Sequence, residues 1–265
     1  CDTTLAQIAA DVLGCDLENI VSHGVDTDVS PYDSGSYASS TAYLTGMAAV
    51  KASNSMIRLM TEKRAEYLEK TPEEVDFDGE QVFAKDGSAS ISLKDIGNRA
   101  MANNGKALEV TESHSSPVSP PPFMVGMAEI EMDQETCDFE LVNYVAVVDC
   151  GTPINPAIAR VQTEGGLGQG IGMAMFEDVT RSEKGQVYEN SFMQYKLPTR
   201  VDVGNIRVEF ESSYEPTGPF GVKSIGEVVI NTPSPAIAAA VANATGVQIR
   251  ELPITPEKIF KELHK

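Results

Sequence analysis

The chain has 265 residues, 42% of them hydrophobic: enough for one large domain or two fused lobes, and too apolar for global disorder. A formal net charge of −19 and a pI near 4.5 argue against nucleic acid and anionic membrane as partners, because phosphate binding needs clustered lysine and arginine. No apolar run approaches the roughly 20 residues of a membrane span.

The N-terminus shows no basic region followed by an apolar core, so no signal peptide is expected. Cys1, Cys15, Cys137 and Cys150 form no C-x-x-C pair, and His23, His114 and His264 lie far apart. Structural zinc, cysteine-held iron–sulfur clusters and a protein-ligated metal are therefore not expected in this chain. A reducing, cytoplasmic compartment fits such cysteine usage, although spacing alone leaves a disulfide open.

Taken in order, Leu5–Leu13 is a helical pattern ending at Gly14, a C-cap residue. Ile20–Val25 reads as a strand. A stretch dense in Asp, Ser, Gly and Thr follows from Asp26 to Tyr43 and leads into a long helix from about Ala42 to Tyr67. Small hydroxyl residues at a helix entry offer donors to an anion, or they are simply an ordinary capped turn. Short strands are expected at Val75–Phe77, Gln81–Ala84 and Ala89–Ile91, then a helix at Leu93–Asn103 and a strand near Ala107–Thr111. The proline-rich loop from Glu112 to Phe123 is the predicted changeover between two lobes, roughly 1–115 and 116–265. Met124–Met132 and Phe139–Asp149 alternate as an antiparallel pair.

A helix should begin after Asn155, with Pro156 at its first position. It carries Gln162 and then five glycines between Gly165 and Gly172. Each interior glycine costs a helix about 0.8–1.0 kcal/mol relative to alanine. Such a run implies a face without side chains, against which either another backbone or a flat ligand packs. No G-x-G-x-x-G register fits, so a dinucleotide fingerprint of the usual kind is excluded. Strands are then expected at Phe176–Thr180, Gln186–Tyr188 and Ile206–Phe210. A glycine-rich loop, Gly218-Pro219-Phe220-Gly221-Val222-Lys223-Ser224-Ile225-Gly226-Glu227, precedes the apolar Val228–Ile230. Its terminal carboxylate is either a general base or a solvated residue after a surface turn. The chain closes with a helix at Ser234–Ala244, a strand at Gln248–Leu252 and a helix at Pro256–Leu263. The fold class is mixed α/β (α+β), in two lobes of short mixed sheets flanked by helices.

Six stretches in order carry a resemblance: Thr4–Ala10, Gly35-Ser36-Tyr37-Ala38-Ser39-Ser40-Thr41, Val148–Pro156, Gln162-Thr163-Glu164-Gly165-Gly166-Leu167-Gly168-Gln169-Gly170, the Gly218–Glu227 loop, and Arg250–Pro256. Together they resemble the C-terminal part of the molybdenum-binding subunit of the xanthine dehydrogenase and aldehyde oxidoreductase family of molybdenum hydroxylases. The resemblance covers nearly the whole chain.

It implies a molybdopterin dinucleotide with molybdenum, in the cytosine form, held without a protein ligand to the metal. It assigns Glu227 as general base in the hydroxylation of an aromatic N-heterocycle, a purine or nicotinate, with water as oxygen donor. It assigns Ser36, Tyr37, Ala38, Ser39, Ser40 and Thr41, together with Gln162, to the cofactor. Tyr37 stands where relatives often carry a small residue, and Lys223 reads as structural or as a support behind the site rather than as catalytic. The family's glycine-glutamine-glycine motif before the position of Cys1, and its other half, are missing from the sequence. The chain is thus expected to be a separate subunit of a split enzyme or a piece of a longer one, inactive without the partner half. Iron–sulfur clusters and FAD are expected on partner chains. An aldehyde oxidoreductase component, or a non-catalytic module of the same fold, are the alternatives.

Overall fold

The computed structural model describes residues 1–265 apart from Val25, Val29 and Lys106, and apart from the side chains of Arg64 and Asn104. The chain divides into two compact units, one formed by Cys1–Ser119 with Pro216–Val222, the other by Pro120–Glu215 with Lys223–Lys265.

In the first unit, helix α1 (Asp2–Leu13) stops at Gly14, whose left-handed backbone (φ 67, ψ 29) lets its N–H reach the carbonyls of Ala10 and Asp11. It packs on helix α2, Thr41–Tyr67. The approach is close because Gly46 has no side chain: a Cβ there would lie 2.9 Å from Ile8 Cδ1 and from Pro219 Cγ. An antiparallel sheet follows, β1 (Val75–Phe77), β2 (Gln81–Ala84) and β3 (Ser90–Ser92), in that order. Its register sets Val82 opposite both Phe77 and Ile91. Val75, Val82 and Ile91 join Ala65 and Ile96 in a small core. Helix α3 (Leu93–Asn104) is started by Ser92, whose Oγ accepts the Asp95 N–H at 3.1 Å and donates to the Asp95 carboxylate at 2.8 Å.

The second unit is built on a mixed sheet, β4 (Phe123–Met132), β5 (Phe139–Asp149) and β6 (Asn205–Phe210). Strands β4 and β5 are antiparallel, with a bulge between Glu129 and Ile130; β6 lies parallel to β5. The Asp133 carboxylate closes the hairpin by accepting the N–H groups of Glu135 and Thr136. A parallel neighbour requires a crossover. Helix α4 (Pro156–Met175) supplies it, opened by Asn155 Oδ1 accepting the Ile158 N–H at 3.1 Å. With α5 (Pro233–Thr245) and α6 (Pro256–Leu263) it covers one face of the sheet. Leu141, Tyr144, Ala146 and Val208 of the strands meet Leu167, Ile171, Ile237 and Ile259 of the helices there.

Mixed helix and small sheets are thus the architecture, as the sequence pattern predicts. Several expected strands do not form. Residues 20–24, 107–111, 176–180 and 248–252 run without a ladder partner, and Val25 lies outside the described residues. Gln186–Tyr188 contributes only a bridge between Arg181 and Val187. A strand needs a neighbour as well as a propensity. Val21, 90% exposed, has no such surface beside it.

Candidate functional site

The Glu227 carboxylate lies in the second unit, on a segment fixed at both of its ends. At the start, the Lys223 N–H donates to the Cys150 carbonyl at 2.7 Å, and the Lys223 ammonium donates to Asp149 Oδ2 at 2.9 Å. Asp149 Oδ1 accepts from Ser213 Oγ at 2.7 Å and from the Gly151 N–H at 2.9 Å. Burial works to raise the Asp149 carboxyl, but the donors Ser213, Gly151 and Lys223 outweigh it, so the net direction is downward. Burial pushes the neighbouring Cys150 thiol up to about 11, which leaves it protonated and inert at neutral pH. At the other end, Glu227 opens a short 3-10 turn, Val228–Ile230, in which Val229 is fully buried. Glu227 itself is exposed.

Val229 sits on α4. A Cβ on Gly166 would overlap Val229 Cγ2, and one on Gly170 would lie 2.6 Å from Pro233 Cγ and 2.8 Å from the Ile230 carbonyl oxygen. Around Gly165 and Gly168 the space is open, with nothing within 4 Å of an added Cβ. The glycine run therefore has two sides: one takes the Glu227 segment, and the other, at Gly165 and Gly168, is open. Gln162 lies one turn before Gly166 on α4 and is exposed. Glu227 and the helix of Gln162 are thus brought together in one unit.

Ser36 to Thr41 belong to the first unit, at the entry to α2. Tyr37–Ser39 form a 3-10 turn in which Ala38 (φ 50) and Ser39 (φ 55) are left-handed. Thr41 Oγ1 donates to Ser36 Oγ at 2.6 Å, Ser40 Oγ donates to the Tyr37 carbonyl at 2.7 Å, and the Ser40 carbonyl accepts the first helical N–H, from Leu44, at 2.7 Å. Ala38 and Ser39 lead into Ser40 (φ −88, ψ 10), whose N–H donates to the Tyr37 carbonyl at 3.2 Å, at the N-terminal, positive end of a 27-residue helix. Tyr37 is 74% exposed. In the same unit, Tyr43 bonds to Ser116 Oγ at 2.8 Å and to Thr217 Oγ1 at 2.7 Å, and Phe220 (φ 54) is left-handed within the loop that leads to Lys223.

Residues 1–204 match the family model of the molybdopterin cofactor-binding domain. The chain belongs to that family. Glu227 lies beyond the matched residues, but relatives align through it. A probable hypoxanthine oxidase of Escherichia coli is 31% identical over 266 residues, covering 100% of this chain and 28% of its own length. The 6-hydroxypseudooxynicotine dehydrogenase complex subunit gamma of Paenarthrobacter nicotinovorans is 33% identical, covering 98% and 34%. Among solved structures, a Cu,Mo carbon monoxide dehydrogenase superposes with a TM-score of 0.83 at 26% identity, covering 100% of this chain and 35% of that one. The chain spans about a third of the length of the curated relatives it matches.

Each unit, taken by itself, carries a surface that suits part of the cofactor of a molybdopterin-binding domain. The side of α4 at Gly165 and Gly168 is open and leaves room for a flat group. In the first unit, Ser36, Ser39, Ser40 and Thr41 stand at the entry of α2, where the positive end of a long helix favours an anionic tail. Among the described residues no three His, Cys, Asp or Glu side chains stand together as a metal site. The four cysteines are free thiols. No helix among the described residues is long and apolar enough to cross a membrane. The sequence marks Lys223 as structural or supporting but does not pair it with Asp149. A lone carboxylate ending an apolar strand, Val145–Asp149, was the available signal.

Proposed function

We propose that this chain is the part of a molybdenum hydroxylase that helps to hold a molybdopterin dinucleotide, in the cytosine form, and supplies Glu227 as the general base. The observation that carries this is an exposed carboxylate on a segment clamped at Lys223 and at Val229, beside a helix whose glycines leave a bare side. A base must be both reachable and held in place. Ser36, Tyr37, Ala38, Ser39, Ser40, Thr41 and Gln162 are assigned to the cofactor, the hydroxyls and N–H groups of the α2 entry to its phosphates. When bound, the cofactor supplies the two-electron oxidation. The residues of this chain bind and orient, and Glu227 Oε accepts the proton released as water gives up its oxygen.

The substrate class is an aromatic N-heterocycle of purine or nicotinate type. Hypoxanthine oxidase and 6-hydroxypseudooxynicotine dehydrogenase in the names of two relatives support it. The carbon monoxide dehydrogenase of similar fold shows that the scaffold by itself does not select the substrate. Because the relatives are about three times longer, the rest of a molybdenum-binding subunit is proposed as the essential partner, with iron–sulfur and FAD chains to remove the electrons. The assembly is placed in the cytoplasm.

Co-expression of the chain with its genomic neighbours, followed by assay on xanthine and nicotinate, tests the proposal. Glu227→Gln should lower kcat by a factor of about 100 or more while molybdenum content stays at the wild-type level. Full activity in that variant would remove Glu227 from the mechanism.

A further inference from the structure

The ion pair between Lys223 and Asp149 is unusually enclosed for a chain so rich in exposed acid. The two side chains keep only 10% and 19% of their surface. Both carboxylate oxygens are engaged, Oδ2 by the ammonium and Oδ1 by Ser213 and Gly151. The ammonium also lies 5.5 Å from the centre of the Phe123 ring. With the Lys223 N–H on the Cys150 carbonyl, this single residue is fixed to the end of β5 through both its backbone and its side chain.

A buried ion pair is a weak stabiliser compared with an apolar pair of the same volume. What it provides is direction: the ammonium has one place to go. Only Ser224, Ile225 and Gly226 separate this anchor from Glu227, and Val229 is seated on Gly166 just after it. Displacing a reacting group by about 1 Å costs roughly 100-fold in rate. An anchor at each side of Glu227 is what a base needs for such placement.

We propose that the Asp149–Lys223 pair is a positioning element for the Glu227 carboxylate. Asp149 holds Lys223, and Lys223 sets the point from which Glu227 takes its proton. The proposal rests on Glu227 being the base. Neither member of the pair touches the substrate.

The test uses the assembled, molybdenum-loaded enzyme with Glu227→Gln, Lys223→Arg, and the double variant Asp149→Asn with Lys223→Met. The double variant leaves no unpaired buried charge, so it keeps the fold where Lys223→Met alone would leave Asp149 unpaired. Its kcat should fall about 10-fold or more, with KM within about twofold of wild type and molybdenum per chain unchanged. Hydrogen–deuterium exchange should rise over residues 223–230 and stay as in wild type over residues 156–175. Lys223→Arg, which keeps the charge, should recover most of kcat. Wild-type kcat in the double variant beside an inactive Glu227→Gln would overturn the positioning role and leave the base in place. A loss of kcat that merely follows lost molybdenum would overturn it too, since the pair would then be only structural. An active Glu227→Gln would overturn the base itself, and the positioning role with it.

Discussion

Gly166 lies directly beneath Val229, so close that any side chain on the glycine would occupy the same space as the Val229 γ-methyl. One turn later Gly170 does the same beneath Pro233 and the Ile230 carbonyl. The segment after Glu227 and the start of α5 are therefore seated on α4 by missing side chains. Gly165 and Gly168 have nothing of this kind above them.

Substitution should separate the two sets. Gly166→Ala forces Val229 or the backbone of its turn to move, and is expected to cost about 1–3 kcal/mol as overpacking of a filled core. Gly165→Ala meets nothing and gains helix propensity, so it should stabilise by up to about 1 kcal/mol. Urea denaturation of the two variants checks this; equal losses at both positions would contradict the division. Gly165→Leu extends the comparison to the cofactor: stability should hold while molybdenum content falls.

The acid limb of the stability curve should carry the signature of Asp149. Its carboxyl titrates below its ordinary value in the folded chain. The stabilisation is thus fully present above the unfolded carboxylate pKa of about 3.9 and is lost as pH falls through the lower folded value. Replacement by Asn removes that contribution, so stability of Asp149→Asn should vary less with pH below about 4 than that of wild type. Chemical denaturation at a series of pH values reads it directly.

The alkaline limb should report Cys150. Burial holds its thiol up to about 11. An unfolded thiol ionises at about 8.5, so above that pH the unfolded chain releases a proton that the folded chain keeps. Stability falls with rising pH between those two values. Cys150→Ala should flatten this slope. In the native wild type, a thiol reagent at pH 7 should label the exposed Cys1 and leave Cys150 untouched.

How far the sequence could be read depends on the range of each interaction. Helices α2 and α4 and the β4–β5 hairpin follow from periodicity within a few residues, and the start of α4 from its cap, Asn155 with Pro156. The expected strand at 248–252 shows the limit. Its flanking pattern is real, since Val247 and Ile249 both pack against the core, yet no neighbouring strand offers a ladder. Pairing is a tertiary property, and alternation alone does not contain it. The same holds at the site. Glu227 stood out through its glycine and apolar neighbours. The link from Asp149 to Lys223 spans 74 residues and leaves only a carboxylate at a strand end and a lysine in a loop. Which of the glycines pack was likewise invisible, because a glycine under Val229 and a glycine in open space are written with the same letter.

Ala38 gives a last test, of the α2 entry. It holds φ 50 in the left-handed region, and Ser39 follows at φ 55. For an L-residue that conformation costs about 1–2 kcal/mol, and a β-branched residue tolerates it least. Ala38→Gly relieves the strain but adds freedom to the unfolded chain, so the two effects nearly offset and stability should stay within about 0.5 kcal/mol of wild type. Ala38→Val should lose about 1–2 kcal/mol, or else the turn should open. With the α2 entry assigned to the cofactor, an opened turn has a second consequence. Molybdenum content should fall in Ala38→Val and hold in Ala38→Gly, as measured by metal analysis of the assembled enzyme. Unchanged metal in a variant whose exchange at residues 36–41 has risen would remove this turn from the cofactor site.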